Sequence, residues 1–207
     1  MVYLTGDMHG DTDISKFTTK NFPLGKTLTK DDYVIILGDF GLMWYQPTHK
    51  RYKGFQYWVN WLDQQPWTTL FVDGNHENFD LMDKLPEMDM FGGKVGKFTE
   101  SMYHLKRGEV YTINDEKYWV MGGALSIDKD SNPHRIPNIG WWEREIPSNE
   151  EFEHGMKNLD KHDWNVDYVL THTCPNIIGR MYIKSIKSIG YNDKLDTVSR
   201  YLDVVLE

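Results

Sequence analysis

The sequence predicts an α/β protein built in layers, an α/β/β/α sandwich of sheets and helices, on three observations. Four short aliphatic runs each stop abruptly at Gly with Asp, Asn or His; helical segments alternate with these runs; and a hairpin in the middle of the chain supplies a second sheet.

The four runs are VYLT before Gly6-Asp7, YVIIL before Gly38-Asp39, TLFV before Asp73-Gly74-Asn75-His76, and DYVLT before His172. Their richness in β-branched and aliphatic residues predicts strands, and the lack of polar alternation predicts burial on both faces. Helices are expected around Thr12 to Lys20, over Arg51 to Gln65 with Phe55, Trp58, Val59 and Leu62 on one face, and over Asn149 to Lys161. Glu109 to Ile113 and Lys117 to Gly122 flank Asn114-Asp115, the signature of an antiparallel hairpin. The stretch from Gly123 to Ser148, with Asn132-Pro133, Trp141-Trp142 and Pro147, is too long for an ordinary connection and is expected to be an ordered lid. A last helix is expected from about Asp193, with Leu195, Val198, Leu202 and Val205 at helical spacing.

Composition narrows the function. The 207 residues suit a single domain that needs no disulfides for its core. Twenty-three Lys and Arg against 31 Asp and Glu give a net charge of -8, the wrong sign for nonspecific nucleic-acid binding by counterion release. Cys174 is the single cysteine, so no internal disulfide or Cys-rich zinc module can form, and a reducing cytoplasm is expected. MVYLTGDMHG carries neither a basic segment nor a long apolar run, and no apolar run elsewhere is long enough to span a membrane.

The strand ends carry the chemistry. Asp7 and His9 are two positions apart, so in extended backbone both side chains would point the same way and chelate one ion. Asp39, Asn75-His76 and His172 follow three further strands, and beyond the carboxyl ends of strands in one layered sheet such residues converge. Two carboxylates brought together without a cation would repel, and a divalent ion reverses that cost. Carboxylate, imidazole and amide oxygen without thiolate suit Mn, Fe or Zn at a hydrolytic site.

These motifs resemble the calcineurin-like metallophosphoesterase superfamily. Its pattern of Asp-x-His, Gly-Asp, Gly-Asn-His-Glu and a lone His after a strand is matched in order by Asp7-Met8-His9, Gly38-Asp39, Gly74-Asn75-His76-Glu77 and Thr171-His172. The resemblance implies a phosphomonoester or phosphodiester hydrolase, acting on a phosphorylated small molecule or nucleotide by direct attack of hydroxide activated by two metals, without a covalent intermediate. It also implies that Asp7 and His9 bind the first metal, Asp39 bridges, Asn75 and His172 bind the second, and His76 assists the leaving oxygen or stabilises charge. The family's final Gly-His-x-His is not found, so the sequence reads as truncated before that motif, with Leu206-Glu207 as a possible cloning scar and with incomplete metal occupancy expected. The alternative this raises, a non-catalytic interaction module on the same fold, is opposed by the four intact motifs. Gly38-Asp39-Phe40-Gly41-Leu42-Met43-Trp44 lacks the further Asp and Arg of protein Ser/Thr phosphatases.

Cys174 to Arg180 matches the Cys-x5-Arg spacing of cysteine-dependent phosphatases, but Pro175 removes a cradle N–H and Met181 replaces the usual hydroxyl residue. Cys174 is therefore read as a small residue beside the His172 turn. Trp44, Tyr45, Trp141 and Trp142 could stack on a base or aryl group, although packing under loops is the preferred reading. Arg107 and Arg135 are expected at the surface, whereas His104 and His134 are expected in surface or satisfied structural roles and are also the first substitutes for the absent histidine pair. Gly92 to Gly96 lacks the Gly-Lys-Ser/Thr ending of a P-loop.

Overall fold

A computed structural model describes residues 1–126, 129, 135–185 and 196–206, with backbone alone over 182–185. The elements run β1 (Val2–Gly6), β2 (Tyr33–Leu37), α1 (Tyr52–Asp63), β3 (Thr68–Val72), α2 (Phe79–Met82), β4 (Glu87–Met90), β5 (Gly93–Lys97), β6 (Met102–Leu105), β7 (Val110–Ile113), β8 (Glu116–Met121), α3 (Asn149–Lys161), β9 (Tyr168–Thr171), α4 (Asn176–Ser185) and α5 (Thr197–Leu206). One sheet has the order β1-β2-β3-β6-β5-β4 and the other β7-β8-β9. The pairs from β1 to β6 are parallel, β5 and β4 add an antiparallel edge, and β9 joins β8 in parallel.

Alternation along each strand sorts the side chains into three cores. Ile35, Leu70, Val72, Tyr103 and Leu105 face Tyr111, Ile113, Tyr118, Val120 and Leu170 of the other sheet. The neighbouring positions Val34, Ile36, Phe71 and Met102 turn outward onto Phe55, Val59 and Leu62 of α1. Val110, Trp119 and Met121 turn outward from the second sheet onto Leu159 of α3 and Val198 and Leu202 of α5. The result is the α/β/β/α sandwich.

Burial on both faces holds for all of β3 and the centre of β2, but not for β1 and β9. Both are edge strands, and Leu4, Tyr168 and Val169 stay exposed there. The helix expected over Thr12 to Lys20 shrinks to a 3-10 turn at Ile14–Phe17, because no side chain caps its start and Thr18 returns to extended backbone. The hairpin is present: Asn114 and Asp115 have φ of 52° and 67°, a type I′ turn whose twist matches its strands. Ser148 and Glu151 form a reciprocal capping box that starts α3. The last helix is described from Thr197, while Asp193, Leu195 and Glu207, like Asn132, Pro133 and His134, lie outside the described residues. Among the described residues, no helix is long and apolar enough to cross a membrane.

Candidate metal centre

The parallel register of β1, β2 and β3 brings their carboxyl ends level, since Gly6 pairs with Leu37 and Leu37 with Val72. The loops that follow lock together through main-chain bonds. Met8 N and His9 N donate to Asp39 O at 3.1 and 2.6 Å, and Gly10 N donates to Phe40 O at 3.0 Å. Asp7, His9 and Asp39 hold φ values of 26°, 50° and 49°, a left-handed backbone that non-glycine residues rarely adopt. The extended geometry expected for Asp7 and His9 is therefore replaced by a tight turn, which still aims both at Asp39.

Asp39 is the centre of the cluster and is buried. His172 Nε2 lies 3.4 Å from its Oδ1, and His9 Nε2 lies 3.4 Å from its Oδ2. Asp7 Oδ1 approaches His172 at 3.6 Å, and ligand atoms of Asp7, Asp39 and His172 lie within 4.8 Å of one another. The Nδ1 atom of His172 is 2.8 Å from Leu37 O, and a carbonyl can only accept. Nδ1 thus carries a ring proton, which makes Nε2, on the side of Asp39, the nitrogen that would ligate a metal.

Two glycines make this approach possible. A Cβ on Gly38, which has φ of 87°, would sit 2.0 Å from His172 Nδ1. A Cβ on Gly74 would sit 2.2 Å from Asp39 Oδ1, so only glycine lets the loop after β3 cross the carboxylate. That loop then gives the His76 N–H to Asp39 Oδ1 at 2.8 Å and places Asn75 beside Ser126. Glu77 points inward, where its two oxygens accept the N–H groups of Phe40 at 2.6 Å and Gly41 at 3.1 Å. Burial, reinforced by the charge of Asp39, pushes its carboxyl well above the ordinary value. Hard oxygen and imidazole donors, an oriented ligand tautomer and a glycine-lined approach all fit a divalent cation.

His76 stands on the open side, its ring centroid 5.0 Å from that of His9. Both rings line a cavity of about 190 Å³ together with Gly41, Trp44, Tyr45 and Arg51. Tyr45 is stacked on His49 at 4.2 Å and Trp142 is buried against Trp44, so packing accounts for both. A separate cavity of about 340 Å³ lies against Asp73 and Arg107, but its basic groups are already paired: Lys106 with Glu87, Arg107 with Asp73, and Arg144 with Asp80 and Asp83.

Several surface expectations are corrected. Arg107 is buried, bonding Asp73 Oδ2 through Nε at 2.8 Å and Glu151 at 3.1 Å. Burial would raise the Asp73 carboxyl, yet Arg107, His104 and their hydrogen bonds outweigh it and hold it well below the carboxylate range. His104 is committed to Asp73 at 3.1 Å and is no substitute ligand, while His134 lies outside the described residues. Arg135 is tucked in, bonding His76 Nδ1 at 3.2 Å and Ser126 Oγ at 2.7 Å. The cysteine-phosphatase reading fails on geometry. Residues from Asn176 onward form α4, whose Gly179 N–H is spent on Pro175 O, and Arg180 is exposed on that helix rather than closing a loop around Cys174.

Carboxylates and imidazoles gather where the strands of a two-sheet α/β sandwich end, a donor set that fits a divalent cation. The calcineurin-like phosphoesterase model matches residues 1–198, and the chain belongs to that family of metal-dependent phosphoesterases. No curated protein and no solved structure matches it.

Proposed function

We propose that the protein hydrolyses a phosphomonoester or phosphodiester of a small molecule or nucleotide, using two divalent cations. Asp7 and His9 would hold one, Asn75 and His172 the other, and Asp39 both. One observation carries the reading: His9 and His172, assigned to different cations, address the two different oxygens of Asp39, so that this carboxylate stands between the two ligand sets. When bound, such ions polarise the phosphoryl group and lower the pKa of a water enough to supply a nucleophile near neutral pH.

The chain's own residues do the rest. A guanidinium has only donors, so Arg135 makes His76 Nδ1 the acceptor and leaves the neutral ring's proton on Nε2. From Nε2 that N–H would donate a hydrogen bond to the leaving oxygen as negative charge develops on it. The cavity shared by His9 and His76 would receive the leaving group, with Arg51 as its cationic wall. The single cysteine supports a reducing compartment, and we place the protein in the cytoplasm.

Metal analysis of the purified chain, with assays on an aryl phosphate and an aryl phosphodiester, tests this reading. Hydrolysis lost on chelation and restored by Mn²⁺ supports it; hydrolysis indifferent to chelation contradicts it.

A further inference from the structure

Ser126, in the loop after β8, has three partners for one hydroxyl. Its Oγ lies 2.7 Å from Glu145 Oε2, 2.7 Å from Arg135 Nη2 and 3.1 Å from Asn75 Nδ2. A hydroxyl offers one proton and two lone pairs, so three partners saturate it. Arg135 can only donate and takes one lone pair. The proton goes to Glu145, whose Oε1 also accepts the Ser126 N–H at 2.8 Å. One lone pair remains, and only a donor can use it. The side of the Asn75 amide that faces Ser126 is therefore its NH₂, and Oδ1 is turned away from Ser126.

We propose that Glu145, acting through Ser126, is a positioning residue that fixes the Asn75 amide with Oδ1 presented as a cation ligand. This rests on Asn75 being a ligand, as proposed above. Glu145 is fully buried, 19 residues beyond Ser126, and its carboxylate grips that residue at both main chain and side chain. Burying a carboxylate is costly unless its partners are well placed. Here the partners make it dictate the direction of a hydrogen-bond chain that ends on Asn75.

The logic singles out one substitution. In Glu145→Gln, an oxygen kept on the Ser126 N–H forces the new NH₂ to donate to Ser126 Oγ. The serine proton must then turn to Asn75, which answers by rotating Oδ1 inward and its NH₂ outward. Ser126→Ala removes the constraint, and Ser126→Thr restores a hydroxyl.

The experiment is calorimetric titration of Mn²⁺ into the 207-residue chain and these three variants, alongside thermal melting and side-chain amide NMR of the metal-free protein. Glu145→Gln and Ser126→Ala should weaken one cation site by about 10–100-fold, the usual effect of losing a partner that orients a ligand. Ser126→Thr should stay within a few-fold, all four proteins should keep a cooperative melt, and the Asn75 NH₂ protons should exchange slowly in wild type and fast in Ser126→Ala. Unchanged Mn²⁺ affinity in both Glu145→Gln and Ser126→Ala overturns the proposal, as does an equal loss in Ser126→Ala and Ser126→Thr. If wild type binds no Mn²⁺, the metal reading itself fails; the amide is then judged by NMR alone, and unprotected Asn75 protons overturn its orientation.

Discussion

The main-chain N–H of His76 donates to Asp39 Oδ1 across 2.8 Å, which fastens the residue proposed to assist the leaving oxygen to the carboxylate proposed to hold both cations. The bond exists because Gly74 carries no side chain: a Cβ there would lie 2.4 Å from Asp39 N as well as against Oδ1. Gly74→Ala should therefore push the loop off Asp39, lowering Mn²⁺ affinity at least about tenfold and stability by about 1–3 kcal/mol, the ordinary cost of overpacking. Calorimetry and melting check both. Wild-type affinity in the variant would mean that the loop does not need this contact.

Glu77→Gln tests how the loop after β2 is held. The glutamate accepts from two main-chain donors, Phe40 N–H and Gly41 N–H, and glutamine can satisfy only one while setting its NH₂ against the other. The expected cost is about 1–3 kcal/mol by urea denaturation, that of a buried donor left without an acceptor.

Much of the site was legible in the sequence because its motifs are local. Asp7, His9, Asp39, Asn75, His76 and His172 each follow a strand through a glycine or a short polar turn, and that punctuation can be read without knowing the fold. Ser126, Glu145 and Arg135 could not be found in the same way. The bond from Asn75 to Ser126 joins residues 51 apart, and that from His76 to Arg135 joins residues 59 apart, with no periodicity to announce either. The antiparallel edge of the larger sheet was missed for another reason. Strand β4 reads Glu-Met-Asp-Met, which has little apolar content, although Phe91 and Gly92 at φ of 57° and 86° form the hairpin turn that the Gly92-Gly93 pair could have signalled.

Asp73 predicts a pH dependence of stability. Its carboxyl is held below its unfolded value, so the stabilisation it gives is complete above the unfolded pKa of about 3.9 and is lost as pH falls toward the folded one. Wild type should lose stability on acidification below about pH 4 more steeply than Asp73→Asn. At neutral pH that variant should be about 3 kcal/mol less stable, because buried Arg107 loses the buried one of its two counter-charges and keeps only the part-exposed Glu151. Urea melts between pH 2 and 7 give both quantities; parallel curves for the two proteins would contradict the pairing.

His76→Ala should lower turnover while leaving bound metal nearly unchanged. A donor held against a developing oxyanion is typically worth about 10²–10³-fold, and least where the leaving group spreads its own charge. Comparing an alkyl with a nitrophenyl ester reads this out, and the defect should shrink on the nitrophenyl ester. A uniform defect would assign His76 to the phosphoryl oxygens instead. Cys174→Ser should stay within a few-fold of wild type on the same substrates, since its neighbour Arg180 sits on an exposed helix and builds no phosphate cradle.

If one buried carboxylate, Asp39, organises a cation pair for phosphoester hydrolysis, Asp39→Asn is the substitution that exposes it. Metal stoichiometry and turnover should be measured together on wild type, Asp39→Asn, His9→Ala, Asn75→Ala and His172→Ala. Asp39→Asn should weaken both cation sites and cost more turnover than any other single change, because the remaining ligands each serve one ion. An Asp39→Asn protein that keeps both its metal and its turnover would contradict the account.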